Sequence, residues 1–389
     1  MSSPTSSSPS SSPSPSSPSP SPSSSASPAG RPAGAQRHIV IGDIHGCYGE
    51  LLELLDRAGA TSEDLIVSVG DLVDRGPDSP KVLRFFQERI AQGRAVVLMG
   101  NHERKHVRQV FSYSQEITRL QFGDGYAAAV EWMSRLPYSY ETPECIVVHA
   151  GLVPGVPLSK QKEEVLCGTV SGERELKAAL GDRTWHEVYA GPKPVAFGHH
   201  VVGPEPLCAR GLIYGLDTGA CHGGRLTALC LPEFKLVSVP ARADYWELEK
   251  RKWQEAVLLG KPWLDMGYAK AARELERYAD EGGATLAALQ AWLEALGGTD
   301  GGAGVSVSVS VVQACHKELL AAAARLVAES GPGGFAAAVE PLPHKALLHL
   351  AQRGRLDLDA VRKRCATPAR TLELAAMLGV AVPPSPLPR

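Results

Sequence analysis

None of the eight cysteines (Cys47, Cys145, Cys167, Cys208, Cys221, Cys230, Cys315 and Cys365) stands in a C-x-x-C pair. Scattered through 389 residues, they argue against a disulfide framework and read as free thiols of a reducing compartment. No apolar stretch approaches the ~18 residues of a membrane span, so the expected location is cytoplasmic, away from membranes. Neither sign of charge is in excess. The formal net charge is -2 and the pI is near 6.6, which supplies no global basic field for nucleic acid and no acidic surplus of a disordered chain. The first 30 residues are almost only Ser, Pro, Ala and Gly, and the first cation is Arg31. Without a basic start or an apolar block this stretch is no signal peptide, and without arginines no transit peptide. It has too little to bury, so residues 1–36 are expected to form a disordered tail.

What the chain does have is 44% hydrophobic residues, enough for one large core and a smaller one. From Arg37 to Ala241 strand and helix patterns alternate. "HIVIGD" is a short apolar run ending in a polar turn. "CYGELLELLDRAG" then sets Leu51, Leu52, Leu55 and Ala58 on one helical face and stops at Gly59. "DLIVSVGD" and "AVVLMGN" read as buried strands. Between them lies a helix with Asp78 or Ser79 as N-cap, Pro80 in its first turn and Gly93 at its end. "CIVVHAG", "KPVAFGHH" and "LIYGLDTG" repeat the pattern, and "GRLTALCLPEFKLVSVP" reads as a hairpin turning at Pro-Glu-Phe. Such alternation implies an α/β layered fold.

After Tyr245 the pattern becomes helical, over 245–259, 264–280, 284–296, 312–329 and roughly 344–379. A low-complexity loop lies near 297–311. This region, 243–389, is expected to cap the first domain or to bind a protein partner.

Nearly every apolar strand of the first domain empties into polar residues at one end. That places Asp43, Asp71, Asn101, His149, His199 and Asp217 along one rim, where α/β sheets bind ligands. Asp, Asn and His suit divalent manganese, iron or zinc. A two-metal centre needs a bridging carboxylate and several terminal ligands. Asp71 suits the bridge, Asp43 and His45 one ion, and Asn101, His149 and His199 the other. Flanking glycines let the backbone approach closely. His102 follows a ligand directly and can serve as general acid, oriented by Asp74; Arg75 offers a fork for phosphate oxygens. Singly, each motif has an ordinary explanation as a turn, a core histidine or a surface ion pair. Their ordered recurrence at strand ends does not.

Gly42-Asp43-Ile44-His45-Gly46, Gly70-Asp71-Leu72-Val73-Asp74-Arg75-Gly76 and Gly100-Asn101-His102-Glu103 together resemble the phosphoprotein phosphatase branch of the calcineurin-like metallophosphoesterases, over residues 37–242. The stretches "GDLVDRGPDSPKVL", "HAGL" and "DTGACHGGRLTALCLPEFKLVSVPA" look like bacterial diadenosine tetraphosphatases and also like the phosphatase module of bacterial RNA-repair enzymes; "DLIVSVGDLVDRG" looks like phage and bacterial protein phosphatases. The resemblance implies a β-sandwich flanked by helices and a two-metal phosphoester hydrolase, manganese-dependent in the first instance. It puts the ligands on the six residues named above, the proton donor on His102 with Asp74, and a phosphate-binding arginine on Arg75. Asp217 takes the place of a late acidic residue near the site. His200 stands where many relatives have Thr, and is expected just outside the ligand set. Arg174 and Arg183 are the candidates for a second phosphate-binding arginine. The expected substrate is a dinucleoside polyphosphate, with phosphoproteins and RNA ends as alternatives. A non-catalytic metal- or nucleotide-binding scaffold is the rival of a different class.

Overall fold

Alternation along the strands builds the core. The computed structural model describes residues 36–296, 314–339, 342 and 344–387. The tail expected over 1–36, but for Gln36, and the loop expected near 297–311 lie outside these described residues. Among the described residues eleven strands run in chain order: β1 His38–Ile41, β2 Leu65–Ser68, β3 Ala95–Val97, β4 Ser139–Glu141, β5 Ile146–Val148, β6 Val195–Phe197, β7 Leu207–Ala209, β8 Ile213–Gly215, β9 Asp217–Thr218, β10 Arg225–Leu231 and β11 Lys235–Pro240.

They form two sheets. One has the order β11-β10-β1-β2-β3, with β9 on β10; the other has the order β4-β5-β6-β8-β7. The β1–β2, β2–β3 and β5–β6 pairs are parallel, as their helical crossovers require; β6–β8 is also parallel, joined through β7, and the β10–β11 hairpin is antiparallel.

Successive side chains point to opposite faces of a strand, so each sheet sorts its residues into two layers. Val40, Val67 and Leu229 of the first sheet meet Val147 and Ala196 of the second between the sheets. Ile39, Ile41 and Ile66 face outward against the helices Tyr48–Arg57 and Ser79–Ala91. Val195, Phe197 and Ile213 face outward from the second sheet, against Val165 and Trp185. The architecture is a β-sandwich flanked by helices, as expected. The layered reading from alternation alone did not separate the two sheets.

Local detail departs in one place. In the helix Tyr48–Arg57, Leu54 is buried and Leu52 is exposed, so the buried stripe is Leu51, Leu54, Leu55 and Ala58. Consecutive leucines blur which face is inward; the 3–4 spacing from Leu51 selects Leu54 and Leu55. The helix Ser79–Ala91 has Asp78 at its N-cap and Pro80 in its first turn, as read from the sequence.

The C-terminal region is helical: Tyr245–Leu259, Tyr268–Glu276, Ala284–Leu296, Ala314–Val339, Lys345–Gln352, Leu358–Arg364 and Pro368–Leu378. Its first core gathers Trp263, Tyr268, Tyr278, Leu289 and Trp292 with Ile117 of the helix Tyr113–Phe122. Lys261, nearly buried, bonds Glu116 at 2.6 Å and Glu274 at 2.7 Å across that contact. The helix Tyr113–Phe122 thus faces the C-terminal helices on one side. On the other it reaches the polar rim through Gln115. No helix among the described residues is long and apolar enough to cross a membrane.

Candidate active site

Five loops leave the strand ends and converge. Asp43 and His45 follow β1, Asp71 to Arg75 follow β2, and Asn101 begins the helix Asn101–Val107 after β3. His149 follows β5 and His199 follows β6. The backbone there is unusual. His45, Asp71, Asp74, Arg75 and His199 all have positive φ, between 44° and 74°, a region that costs an L-residue about 1–2 kcal/mol. Such strain persists where the surroundings over-determine it, and it concentrates at functional sites.

Asp71 is the centre. Its Oδ2 lies 3.6 Å from His45 Nε2 and its Oδ1 lies 3.5 Å from His149 Nε2, so its two oxygens face two different imidazoles. Asp43, Asp71 and His149 place one ligand atom each within 4.8 Å of one another, and so do His45, Asp71 and His102. Asn101 Oδ1 is 3.1 Å from His149 Nε2 and 3.1 Å from His199 Nδ1. The six residues expected as ligands are therefore gathered in one place.

Their surroundings fix which ring nitrogen is bare. His45 Nδ1–H donates to the Val73 carbonyl at 2.8 Å, and His149 Nδ1–H donates to the Val69 carbonyl at 3.1 Å. His199 Nε2 is held by Glu173 Oε1 at 3.3 Å. Each contact leaves the other nitrogen unprotonated and aimed inward, the arrangement found behind metal-bound histidines. Lone pairs of His149, His199 and Asn101 then face one another, a crowding that a cation between them resolves. The acids tell the same story. Burial, with the charges of Asp217 and Asp71, raises the Asp43 carboxyl well above its usual value. Burial also pushes Asp71 up to about 6 and raises Asp217. Burial pushes His45 and His149 well below the usual imidazole value, keeping them neutral and able to ligate. A Cβ on Gly198 would stand 1.9 Å from Asp43 Oδ1, and one on Gly100 would stand 2.1 Å from Asp71 Oδ1, so only glycine lets these carboxylates in. Hard oxygens and neutral imidazoles in this number fit a pair of divalent ions.

Beside this centre sits a relay. His102 Nδ1–H donates to Asp74 Oδ2 at 2.6 Å, leaving Nε2 toward the site, 4.0 Å from Asp71 Oδ2. Burial pushes His102 down to about 4, against the pull of Asp74. Burial alone would raise Asp74, but the His106 and His102 rings outweigh it and hold the carboxylate well below its usual range. Arg75 donates Nη1–H to His45 Nε2 at 3.1 Å, facing the proposed metal ligands.

Several residues here had no role in the sequence reading. His106 Nε2–H donates to Asp74 Oδ1 at 2.9 Å, and its Nδ1 is 2.8 Å from Tyr126 Oη. Gln115 Nε2 donates to Asp74 Oδ2. Glu103 accepts the backbone N–H groups of Asp71, Leu72, Val73 and Gly100, binding two site loops together. His106 was findable, because it lies four residues after His102 on one helix and so shares its face. Asp217 is buried near Asp43 and caps the Gly219 N–H. His200 is exposed; it bonds Glu173, the carboxylate that holds His199, and its ring lies 4.1 Å from the His199 ring, so it supports that residue from outside the centre. Arg174 and Arg183 are both exposed, and neither lines the cavity beside Asn101 and His199.

Comparison with known proteins identifies the family. The family model for the calcineurin-like phosphoesterases matches residues 37–222. The asymmetrical bis(5'-nucleosyl)-tetraphosphatase PrpE of Halalkalibacterium halodurans is 31% identical over 231 residues, 52% of this chain and 93% of its own length. Its Bacillus subtilis counterpart is 30% identical over 240 residues, 54% of this chain and 96% of its own. A crystal structure of a candidate diadenosine tetraphosphatase is 29% identical, with a TM-score of 0.44 over 54% of this chain and 96% of that one. The chain belongs to the calcineurin-like phosphoesterase family, whose members use a dinuclear divalent metal site, and is a metal-dependent phosphoester hydrolase.

Proposed function

We propose that the chain hydrolyses dinucleoside polyphosphates of the diadenosine tetraphosphate kind, with residues 37–242 as the catalytic domain and 243–389 as a helical cap on it. The observation that carries the hydrolytic part is Asp71, set between His45 and His149 with the His102–Asp74 pair alongside. The relatives' names support the substrate.

In this reading Asp43, His45 and Asp71 hold one ion, and Asp71, Asn101, His149 and His199 hold the other. Manganese is the first choice, with iron or zinc as alternatives. The pair, when bound, polarises the phosphoryl group and makes water acidic enough to attack near neutral pH. The protein's own groups do the rest. Arg75 presents two N–H groups to phosphoryl oxygens, and its half-buried setting strengthens that contact. As the water oxygen bonds to phosphorus, the bond to the leaving phosphate oxygen breaks and His102 Nε2–H gives that oxygen its proton; the proton that the water loses passes to solvent, and His102 takes one back from solvent before the next turnover. An isolated imidazole pushed to about 4 would be a poor acid at neutral pH. Incoming phosphate charge raises it, and Asp74 stabilises the imidazolium through Nδ1. His106 and Gln115 keep Asp74 ionised and aimed at His102. Glu173 keeps His199 in the tautomer that ligates.

The test is a pair of incubations of Mn²⁺-loaded protein, with diadenosine tetraphosphate and with a phosphothreonine peptide, followed by chromatography of products. Cleavage of the dinucleotide is expected, and the product pair reports symmetric or asymmetric attack. Peptide dephosphorylation alone would replace this substrate with a phosphoprotein. Asp71→Asn should remove turnover in either case.

A further inference from the structure

The helix Asn101–Val107 starts at a proposed metal ligand and carries a stripe of cations outward. Residues 101, 104, 105 and 108 stand three, four and seven apart, so Asn101, Arg104, Lys105 and Arg108 share a helical face. At 1.5 Å per residue the stripe runs about 10 Å from Asn101 to Arg108. All four line one cavity of about 480 Å³, with His199 at its inner end. That volume lies in the range of small-molecule sites, roughly 300–1,000 Å³.

The three cations are not equivalent. Arg104 is committed to structure: it bonds Glu164 at 2.7 Å and Cys167 Sγ at 3.5 Å, with its guanidinium over Tyr138. Lys105 and Arg108 form no side-chain ion pair among the described residues, although both border the cavity. The acids nearby are already engaged. Glu164, which feels the charge of Arg108, bonds Arg104, and Glu173 bonds both His199 and His200. Two apolar side chains complete the lining. Val110 is 57% exposed and Val170 is 70% exposed, on segments that follow different strands.

A substrate with a single phosphate brings its charge to the metal centre and needs no cations 10 Å away. A polyphosphate chain brings further anionic groups at that distance, and a base at its far end needs apolar surface to lie on. We infer that this cavity receives the leaving half of a dinucleoside polyphosphate. Lys105 and Arg108 bind the phosphates beyond the one attacked, and Val110 and Val170 bear on the distal base. This assignment rests on the dinucleotide reading above and adds the residues that select it.

The experiment uses the full-length, Mn²⁺-loaded protein, the double variant Lys105→Ala/Arg108→Ala and the double variant Val110→Ser/Val170→Ser. The readouts are kcat/KM on diadenosine tetraphosphate, kcat/KM on p-nitrophenyl phosphate, and inhibition by inorganic tripolyphosphate, which has phosphates but no base. The Lys/Arg variant should lower the dinucleotide-to-nitrophenyl ratio of kcat/KM about ten-fold and weaken tripolyphosphate inhibition in parallel. The valine variant should lower that ratio while weakening tripolyphosphate less than the Lys/Arg variant does. Equal losses on both substrates, or a ratio within about two-fold of wild type in the Lys/Arg variant, overturn the assignment. Should the wild type cleave p-nitrophenyl phosphate and not the dinucleotide, the substrate reading falls on its own. The cavity is then judged by the dinucleotide as a competitive inhibitor. Inhibition that weakens in the Lys/Arg variant upholds the subsite, and its absence overturns it.

Discussion

Glu103 accepts the backbone N–H of Asp71 at 2.8 Å, so the last residue of one short motif positions the central carboxylate of another. Three more backbone N–H groups, from Leu72, Val73 and Gly100, point at the same side chain. Two carboxylate oxygens can serve four donors. An amide has one acceptor oxygen, and its NH₂ faces donors.

Glu103→Gln should therefore leave about two buried N–H groups unmatched and cost roughly 2–4 kcal/mol of stability. Urea denaturation of the metal-stripped protein measures this. A loss within 0.5 kcal/mol of zero, on the order expected for a surface change, would mean that the loops hold their own shape.

Gly198→Ala puts a methyl where Asp43 Oδ1 now stands, 1.9 Å from the new carbon. The carboxylate has to turn away, because the Val69 side chain, 2.8 Å from the same carbon, crowds the new methyl on another side. Metal affinity should fall about 10–100-fold, the usual effect of disturbing a ligand's support. Calorimetric titration with Mn²⁺ reads it directly, and unchanged affinity would remove Asp43 from the ligand set.

Asp71 supplies a pH signature. Its carboxyl is pushed up from the usual 3.8 to about 6 by burial, so without a cation the folded protein holds this proton more tightly than the unfolded chain does. The contribution favours folding below about pH 4 and is lost as pH rises through 6, an effect on the order of 2–3 kcal/mol. Other site groups titrate in the same range, so the comparison is wild type against Asp71→Asn, both metal-stripped. The variant should gain on the wild type between pH 4 and pH 6.5, and saturating Mn²⁺ should reverse the order at pH 7. A pH-independent difference would show that the carboxyl keeps an ordinary acidity.

Lys261 is 7% exposed between Glu116 and Glu274, which are 19% and 12% exposed. Lys261→Met leaves two carboxylates facing each other in a poorly solvated gap. Breaking a buried pair costs about 3–5 kcal/mol, and partial exposure here lowers the expectation to about 2 kcal/mol. The triple variant Lys261→Met/Glu116→Gln/Glu274→Gln should recover most of it in thermal unfolding. Failure to recover would point to lost packing of the lysine stem.

The convergence of these residues was legible because metal chemistry demands particular residue types, and the strands deliver them at their ends to one place. Asp43, Asp71, Asn101, His149 and His199 each follow an apolar run by no more than three residues. The second layer was not legible. Gln115 reaches Asp74 across 41 residues and Glu103 reaches Asp71 across 32, and contacts at that separation are chosen by packing. From alternation alone two sheets could not be told from one, since a strand buried on both faces looks alike in either; the sandwich came from the motif resemblance. Leu52 and Leu54 were confused for a related reason: in a run of leucines, periodicity has little contrast.

The left-handed backbone at Arg75 has a consequence for engineering. Its φ is 64°, a conformation that glycine adopts freely and arginine does not. Replacing it with glycine relieves strain and also discards the guanidinium beside His45, the group proposed to meet the phosphoryl oxygens. A campaign that ranks variants by melting temperature alone would therefore drift toward inert proteins at this loop. Heat resistance and turnover select in opposite directions there, so a screen for a robust catalyst has to score both in the same well.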